Sequence, residues 1–253
     1  MTESFMGFSK PIHAIVVGGR NGVGAEFVQR IAQAHPDNRV YATSRDAAWV
    51  RTPITQSNIE RVRLDLTDES SVQDFAGQLE IDERPIHLVL NCSGLLHGEG
   101  LSPERTWRHL DPDFIRRVFD VNLVAVGMAI KHFIPLMPRK ERAVFGSLSA
   151  RVGSIGDNRL GGWYSYRASK AAQNMFIKCA AIEAARTRKD MICVALHPGT
   201  VDTDLSKPFT ARTPAAKLFS TEQCVGYLTD VIGDLTPHDT GGFFAWDGSN
   251  IEY

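Results

Sequence analysis

The sequence has few cysteines and no excess of positive charge, and each absence argues against particular classes of function. Its four cysteines, Cys92, Cys179, Cys193 and Cys224, are widely scattered among 253 residues, which argues against a disulfide framework or a zinc site. The net charge is -1 at pH 7 with no polybasic tract, so the sequence lacks the concentration of positive charge that is typical of nucleic-acid-binding proteins. We therefore expect no metal and no nucleic-acid partner.

Long apolar runs and a secretion signal are also missing. The longest apolar stretch, residues 121–130, is too short to span a bilayer and continues into Lys131 and His132. Residues 1–10 lack the basic start and apolar core of a signal peptide. These features predict a cytoplasmic protein with no membrane partner.

Short apolar runs alternate with helical patterns along the whole chain, without an internal repeat or a linker. This alternation predicts an α/β fold with one doubly wound parallel sheet of about seven strands, helices on both faces, and a single domain over residues 1–253. Residues 200–220 have no clear periodicity, and we expect a functional loop such as a lid there. The predicted strands are residues 11–17, 39–43, 61–66, 86–90, 143–148, 191–196 and 242–246, and the predicted helices are 23–34, 68–80, 111–135, 164–188 and 221–233.

A phenol and an ammonium group stand four residues apart at the start of a predicted helix. Tyr166 and Lys170 would lie one above the other on the same helix face. A tyrosine is a poor proton donor or acceptor at neutral pH unless a fixed positive charge stabilises its phenolate, and Lys170 is placed to supply that charge. Tyr164 would point elsewhere and is the weaker candidate; an ordinary surface pair is the alternative interpretation.

A glycine-rich turn separates the first predicted strand from the first helix. In this position, backbone amides and the helix dipole can hold a pyrophosphate. Its spacing, G-x-x-x-G-x-G, departs from the G-x-G-x-x-G fingerprint and lacks the Gly-Lys-Ser/Thr ending of a P-loop. The turn consists of Gly18, Gly19, Arg20, Asn21, Gly22, Val23 and Gly24.

The end of the second predicted strand is where a dinucleotide site distinguishes NADP from NAD. An acidic side chain there would bond the ribose 2'-hydroxyl of NAD, whereas an arginine accommodates the 2'-phosphate of NADP. The sequence is Thr43-Ser44-Arg45, and Arg20 is a second cation within reach. Asp46 complicates this interpretation, and both arginines could be surface charges. We predict NADP(H) as the cofactor rather than NAD(H).

Five short motifs occur in one order over nearly the whole chain, and together they resemble the short-chain dehydrogenase/reductase family. They are the glycine turn, Asn91-Cys92-Ser93-Gly94, a serine after the fifth strand, Tyr166-x-x-x-Lys170 and Pro198-Gly199. Residues 150–155 and 242–248 resemble the branch that holds sniffer-type carbonyl reductases and the bacterial C-factor. The resemblance implies a Rossmann-like fold.

The resemblance also implies a catalytic tetrad. Tyr166 would give a proton to the carbonyl oxygen, with its pKa lowered by Lys170 and by the oxidised nicotinamide. Lys170 would also bond the nicotinamide ribose. Ser149 would hydrogen-bond the same substrate oxygen, and Asn122 would hold a water in the proton relay.

The serine is the member of the tetrad that fits the family pattern least well. The family commonly places it nearer to the tyrosine, at the position that is Gly153 here. We favour Ser149 because it stands at the end of the fifth strand, and Ser147 stays open as the alternative.

Further cofactor contacts are implied by the resemblance. Asp65 and Leu66 match the position beside the adenine amino group, with an exposed acid at a strand end as the alternative for Asp65. Val17, Cys92 and Ser93 depart from the usual family residues, and we expect no catalysis by His197. The remaining implied contacts are Asn91, Ser93, Gly94, Pro198, Gly199, Val201 and Thr203.

The sequence therefore predicts an NADP(H)-dependent oxidoreductase that transfers hydride between nicotinamide and a small carbonyl or alcohol substrate. Two other interpretations stay open, namely a regulatory or signalling protein that kept the nucleotide site, and an NAD-linked alcohol dehydrogenase. The helices at Val121 and Tyr164 could form the face of a homodimer or homotetramer.

Overall fold

The computed structural model describes residues 4–98, 100–211 and 213–253. Within these residues, nine strands, numbered along the chain, lie in two sheets. They are β1 (His13–Val17), β2 (Arg39–Ser44), β3 (Ile59–Arg63), β4 (Leu88–Asn91), β5 (Ala143–Leu148), β6 (Met191–His197), β7 (Thr200–Val201), β8 (Leu218–Phe219) and β9 (Phe243–Ala245). The main sheet is parallel and seven-stranded, in the order β3-β2-β1-β4-β5-β6-β9, while β7 and β8 pair with each other.

Helices connect these strands on both faces of the main sheet. They are α1 (Gly22–Ala34), α2 (Ala47–Val50), α3 (Glu69–Ile81), α4 (Pro112–Phe119), α5 (Ala125–Phe133), α6 (Tyr164–Ala184) and α7 (Thr221–Asp234). A π-helical turn, Asp120–Val124, joins α4 to α5.

Alternate side chains of each central strand pack into two separate cores. Ala14 and Val16 of β1 pack with α1 and α7, whereas Ile15 and Val17 pack with α3, α5 and α6. This alternation follows from the opposite directions of successive strand side chains, and burial on both faces explains the continuous apolar runs. The predicted doubly wound parallel sheet with helices on both faces is confirmed.

The strand order places a crevice at the carboxyl ends of β1 and β4. β2 and β3 lie on one side of β1, whereas β4 and the later strands of the sheet lie on its other side, so the strand order reverses direction at β1. Gly18 follows β1, and a Cβ atom built on it would lie 3.4 Å from the carbonyl carbon of Cys92, which follows β4. Open α/β sheets bind ligands at such a switch in strand order.

Several predicted element ends are shifted, and three parts of the predicted pattern were wrong. β3 spans Ile59–Arg63 rather than residues 61–66, because the carboxylate of Asp65 accepts hydrogen bonds from Thr67 in a turn and Leu66 is buried in the core. α2 lies between the second and third predicted strands, where no helix is predicted, and it begins there because the Asp46 side chain caps it. Residues 200–220 contain β7 and β8.

The apolar core of residues 121–130 lies inside the longer helical stretch Pro112–Leu136. At 25 residues this stretch is long and apolar enough to cross a membrane by length and composition, although its apolar core of residues 121–130 looked too short. The helix continues through polar residues on both sides of that core. Its side chains Ala125, Val126, Ala129 and Phe133 are buried against the sheet in the described structure.

Candidate active site

Tyr166 and Lys170 lie one turn apart on the buried face of α6. Their side chains are 7% and 2% exposed, and Nζ of Lys170 lies 5.8 Å from the centre of the Tyr166 ring. The shared face expected from their spacing is therefore present. The pair stands next to the carboxyl end of β5, since Nζ donates to the carbonyl of Leu148 at 2.8 Å.

Burial shifts the pKa values of both groups in the direction of their neutral forms. It raises the pKa of Tyr166 to about 12 and lowers the pKa of Lys170 to about 7. We expected Lys170 to lower the tyrosine pKa, and here the shift is upward. The physical reason is burial, because desolvation disfavours the charged phenolate. Nζ of Lys170 donates instead to the carbonyl of Leu148 and, at 2.8 Å, to Oε1 of Gln173.

Asn122 lies in the π-helical turn between α4 and α5 and is fully buried. Its Oδ1 accepts from the amide of Leu95 at 2.7 Å, and its Nδ2 donates to the carbonyl of Leu95 at 2.9 Å and to Oγ of Ser169 at 3.0 Å. A Cβ atom built on Gly94 would lie 3.7 Å from both Oδ1 of Asn122 and Nζ of Lys170. The side chain therefore ties the loop after β4 to α6 beside the lysine, and π-turns of this kind are frequent at functional sites.

The two candidate serines have different surroundings. Ser147 is fully buried inside the sheet, where its Oγ accepts from Nδ2 of Asn91 and from Nε2 of Gln173, both at 2.9 Å. Ser149 follows the end of β5, and its Oγ donates to Oδ1 of Asn174 at 2.7 Å. The Ser147 hydroxyl therefore accepts two hydrogen bonds inside the sheet. Ser149 lies at the carboxyl ends of the strands, which is where open α/β sheets bind ligands.

The glycine turn has the shape of a phosphate cradle. Gly18 and Gly22 have positive φ angles of 76° and 55°, and a Cβ atom on Gly24 would clash with the carbonyl oxygen of Gly18. Asn21 precedes α1 but makes no side-chain capping bond, so the first-turn amides keep their capacity to bind an anion. Val23 packs against the core below the turn. These residues fit the pyrophosphate of a dinucleotide.

The segment after β6 lies over this cradle. A Cβ atom on Gly22 would lie 3.3 Å from Cγ2 of Thr203, which places Thr203 against the turn. Gly199 has a φ of 78°, and a Cβ atom there would lie 2.6 Å from the Phe219 ring and 3.0 Å from Cδ1 of Trp246. The Pro198-Gly199 bend therefore rests on packed aromatic rings, with Val201 buried in β7.

Polar side chains gather at the carboxyl end of β2. Arg20 forms an ion pair with Asp46, whose other oxygen accepts from the amide of Trp49. Oγ of Ser44 accepts from the amide of Asp46 at 3.2 Å, and Arg45 is exposed. The acidic neighbour that complicated the cofactor prediction is thus engaged by Arg20 and by the start of α2.

Asp65 and Leu66 stand just after β3. Oδ1 of Asp65 accepts from the amide and the hydroxyl of Thr67 at 3.0 and 2.7 Å, and the Leu66 side chain packs in the core beneath α3. The backbone of this segment therefore lies near the carboxyl ends of the strands, whereas the Leu66 side chain points into the core.

A buried acid that no sequence pattern indicated organises the start of α6. Glu104 is 2% exposed, its Oε2 accepts from the amide of Ser165 at 3.2 Å, and its Oε1 accepts from the Ser165 hydroxyl. A carboxylate at this place caps the helix that carries Tyr166. No sequence signal identifies it, because the two partners are 61 residues apart.

Gln173 and Asn174 were also missed, although a signal was available. They follow Lys170 by three and four positions, so a helix that buries Lys170 must bury them on the same face. Both are at most 1% exposed, and both bond the end of β5.

Aromatic side chains form a row that leads away from Tyr166. Its ring centre lies 6.2 Å from that of Trp163, which lies 5.0 Å from that of Phe209. His97 continues the row at 5.5 Å from Phe209. The Tyr166 ring is therefore the first member of an aromatic cluster that extends to His97.

The glycine cradle gives a prediction with a matched control. Gly24→Ala should weaken dinucleotide binding by about tenfold or more, because the methyl group forces the turn away from Gly18. Gly77→Ala in α3 has open space around its Cβ position and should leave binding unchanged. Cofactor titration by fluorescence measures both variants, and equal affinities for the two would contradict the cradle.

Comparisons with known proteins agree on one family. A family model described as short chain dehydrogenase matches residues 12–214. The 1-hydroxy-2-glutathionyl-2-methyl-3-butene dehydrogenase of Rhodococcus sp. is 33% identical over 190 residues, which cover 75% of this chain and 78% of that protein. The C-signal of Myxococcus xanthus is 28% identical over 172 residues, covering 67% of this chain and 93% of that protein.

Two solved structures have the same fold along nearly their whole length. The NADPH-bound carbonyl reductase from chicken fatty liver gives a TM-score of 0.82 at 25% identity, covering 98% of this chain and 96% of its own. The carbonyl reductase Sniffer of D. melanogaster gives 0.81 at 21% identity, covering 96% of this chain and 100% of its own. The predicted resemblance is confirmed, and the chain belongs to the short-chain dehydrogenase/reductase family of NAD(P)-dependent oxidoreductases.

Proposed function

We propose that this enzyme is an NADP(H)-dependent carbonyl reductase, or in the reverse direction an alcohol dehydrogenase, acting on a small carbonyl or alcohol substrate. The observation that carries the proposal is the convergence of Tyr166, Lys170 and Ser149 where α6 meets the carboxyl end of β5. Such a site offers a proton donor, an amine and a hydroxyl around one substrate oxygen.

The cofactor, when bound, supplies the hydride that reduces the carbonyl carbon. Gly18, Gly22 and Gly24 would hold its pyrophosphate, and Lys170 its nicotinamide ribose. The turn from Pro198 to Thr203 would hold the carboxamide. We assign the other contacts to Arg20, Asn21, Val23, Ser44, Arg45, Asp65, Leu66, Asn91, Ser93, Gly94, Gly199 and Val201.

Proton transfer falls to Tyr166. With its pKa raised to about 12 by burial, the hydroxyl is protonated at neutral pH and is ready to donate to the carbonyl oxygen during reduction. Ser149 would donate a hydrogen bond to the same oxygen as negative charge develops on it. Asn122 would keep the loop after β4 in place beside Lys170.

Cofactor choice is proposed to depend on Arg45. Arg45→Ala should raise the dissociation constant for NADPH by about 10- to 100-fold, the effect of losing one charge-assisted phosphate contact, and leave NADH binding unchanged. Arg84→Ala removes an exposed arginine that precedes β4 at the opposite edge of the sheet and is the control. Equal losses for NADPH and NADH in Arg45→Ala would contradict this role.

Turnover is the experiment that tests the proposed function. The purified enzyme is mixed with NADPH and a panel of small aldehydes, ketones and quinones, and absorbance of the reduced cofactor is followed. We expect consumption of NADPH that depends on the carbonyl compound. Tight NADPH binding without turnover across this panel and a matching alcohol panel would favour a regulatory protein instead.

Exposed apolar side chains on α6 and in the turn before α5 support assembly of copies of this chain through this helix face. Val124, Met175, Phe176 and Ile182 are 43%, 62%, 41% and 55% exposed. Burial of such side chains between two copies would stabilise a homodimer or a higher homo-oligomer.

A further inference from the structure

A buried amide lies directly behind Ser149. Asn174 of α6 is 1% exposed, and its Oδ1 accepts the hydroxyl proton of Ser149 across 2.7 Å. Its Nδ2 has no hydrogen-bond partner within the described part of the chain. A buried amide nitrogen with two unused donors is costly, whereas an unused carbonyl oxygen is tolerated more readily.

The direction of this hydrogen bond decides what Ser149 can do. A serine hydroxyl has one proton and two acceptor lone pairs. While the proton is given to Oδ1 of Asn174, Ser149 has none to give to a substrate oxygen. Rotation of the amide by 180° brings Nδ2 to Oγ, which pairs the buried donor and frees the hydroxyl proton.

Other neighbours of Ser149 are already engaged. Its own amide donates to the carbonyl of Leu196 at 2.7 Å, and the Gln173 amide donates to Ser147 and Leu148. Among the side chains described here, Asn174 is therefore the group placed to give Oγ a hydrogen bond. Lys170, Gln173 and Asn174 fix α6 to the end of β5 at three adjacent points.

We propose that Asn174 is a positioning residue that donates from Nδ2 to Ser149 Oγ and thereby directs the serine proton toward the substrate oxygen. The inference rests on the proposed function, in which Ser149 donates to that oxygen. It extends the site by one residue that touches neither substrate nor cofactor.

Two substitutions separate this role from packing. Asn174→Asp keeps the size and can accept the serine proton but, when ionised, cannot donate. Asn174→Leu removes both abilities. Measured at about pH 9, where a buried carboxyl is more fully ionised, Asn174→Asp should lower kcat about 100-fold and Asn174→Leu about tenfold, with KM nearly unchanged. If Asn174 served only in packing, Asn174→Leu would lower kcat more than Asn174→Asp, since aspartate is closer to asparagine in size and shape.

A double-mutant cycle with Ser149→Ala gives the second readout. If Asn174 acts through Ser149, neither substitution lowers kcat further in the Ser149→Ala background. Asn38→Leu is the matched control, because Asn38 is 3% exposed and bonds Ile12 and Ile31 at the opposite edge of the sheet. It should lower thermal stability without changing kcat.

Three outcomes would overturn the inference. They are a kcat for Asn174→Asp close to that of the unmodified enzyme, a milder loss in Asn174→Asp than in Asn174→Leu, and an undiminished loss in the Ser149→Ala background. Tyr166→Phe is assayed in parallel, so that a failure of the inference about Asn174 can be distinguished from a failure of the proposed function. Turnover retained in Tyr166→Phe overturns both, whereas turnover lost there with Asn174→Asp unaffected overturns the inference alone.

Discussion

Replacing Tyr166 by phenylalanine should lower kcat for carbonyl reduction by about 10²- to 10⁴-fold, the usual contribution of a positioned general acid. Only the hydroxyl is lost, and the ring keeps its edge-to-face contact with Trp163. The NADPH dissociation constant and the melting temperature should therefore stay nearly unchanged. Steady-state kinetics combined with cofactor titration measures both effects.

Tyr164→Phe is the control for this experiment. Tyr164 opens the same helix but is 38% exposed and has no close lysine at helical spacing. Its loss should leave kcat unchanged. Equal losses in the two variants, or full turnover in Tyr166→Phe, would contradict the assignment of Tyr166 as the acid.

Lys170→Met is expected to have the second large effect. The substitution keeps an unbranched side chain of similar length but removes the buried amine beside Tyr166 and the proposed bond to the nicotinamide ribose. We expect kcat to fall by about 10²- to 10⁴-fold, and NADPH to bind more weakly as well. Lys178→Met, an exposed lysine on the same helix, should change neither quantity.

The same variant tests the pKa of Lys170 through stability. Burial lowers that pKa from 10.5 to about 7, so between these values the unfolded chain holds a proton that the folded chain does not. The contribution of Lys170 to the free energy of unfolding therefore rises with pH across this window. Lys170→Met lacks this contribution. Between pH 7 and pH 10, the free energy of unfolding measured in urea should therefore increase for the unmodified enzyme relative to Lys170→Met. The same difference in free energy between the two proteins at both pH values would contradict the shifted pKa.

The fold and the main elements of the site were predictable because they depend on local patterns. Apolar runs that end in glycine or asparagine identified the central strands, and helical spacing placed Tyr166 beside Lys170. The glycine turn was predictable because positive φ angles at Gly18 and Gly22 restrict those positions to glycine.

The remaining features depend on contacts between residues distant in sequence. Glu104 caps α6 from a loop that has no helical or strand pattern, so spacing could not identify it. The pairing of Arg20 with Asp46 required the turn after β1 to meet the turn after β2. The hydrogen bonds of Ser147 that separate it from Ser149 likewise involve Asn91, 56 residues away. The periodicity of apolar residues shows which face of a helix or strand is buried, but it does not show which residues pack against that face.

Transfer of an isotope tests the central claim most directly. NADPH that carries deuterium at the transferable position is incubated with the enzyme and a carbonyl compound from the panel, and the alcohol is analysed by mass spectrometry. We predict one deuterium in the alcohol formed by the unmodified enzyme and almost no labelled alcohol with Tyr166→Phe. Absence of labelled alcohol for every carbonyl compound despite NADPH binding, or equal labelling by Tyr166→Phe, would contradict the account.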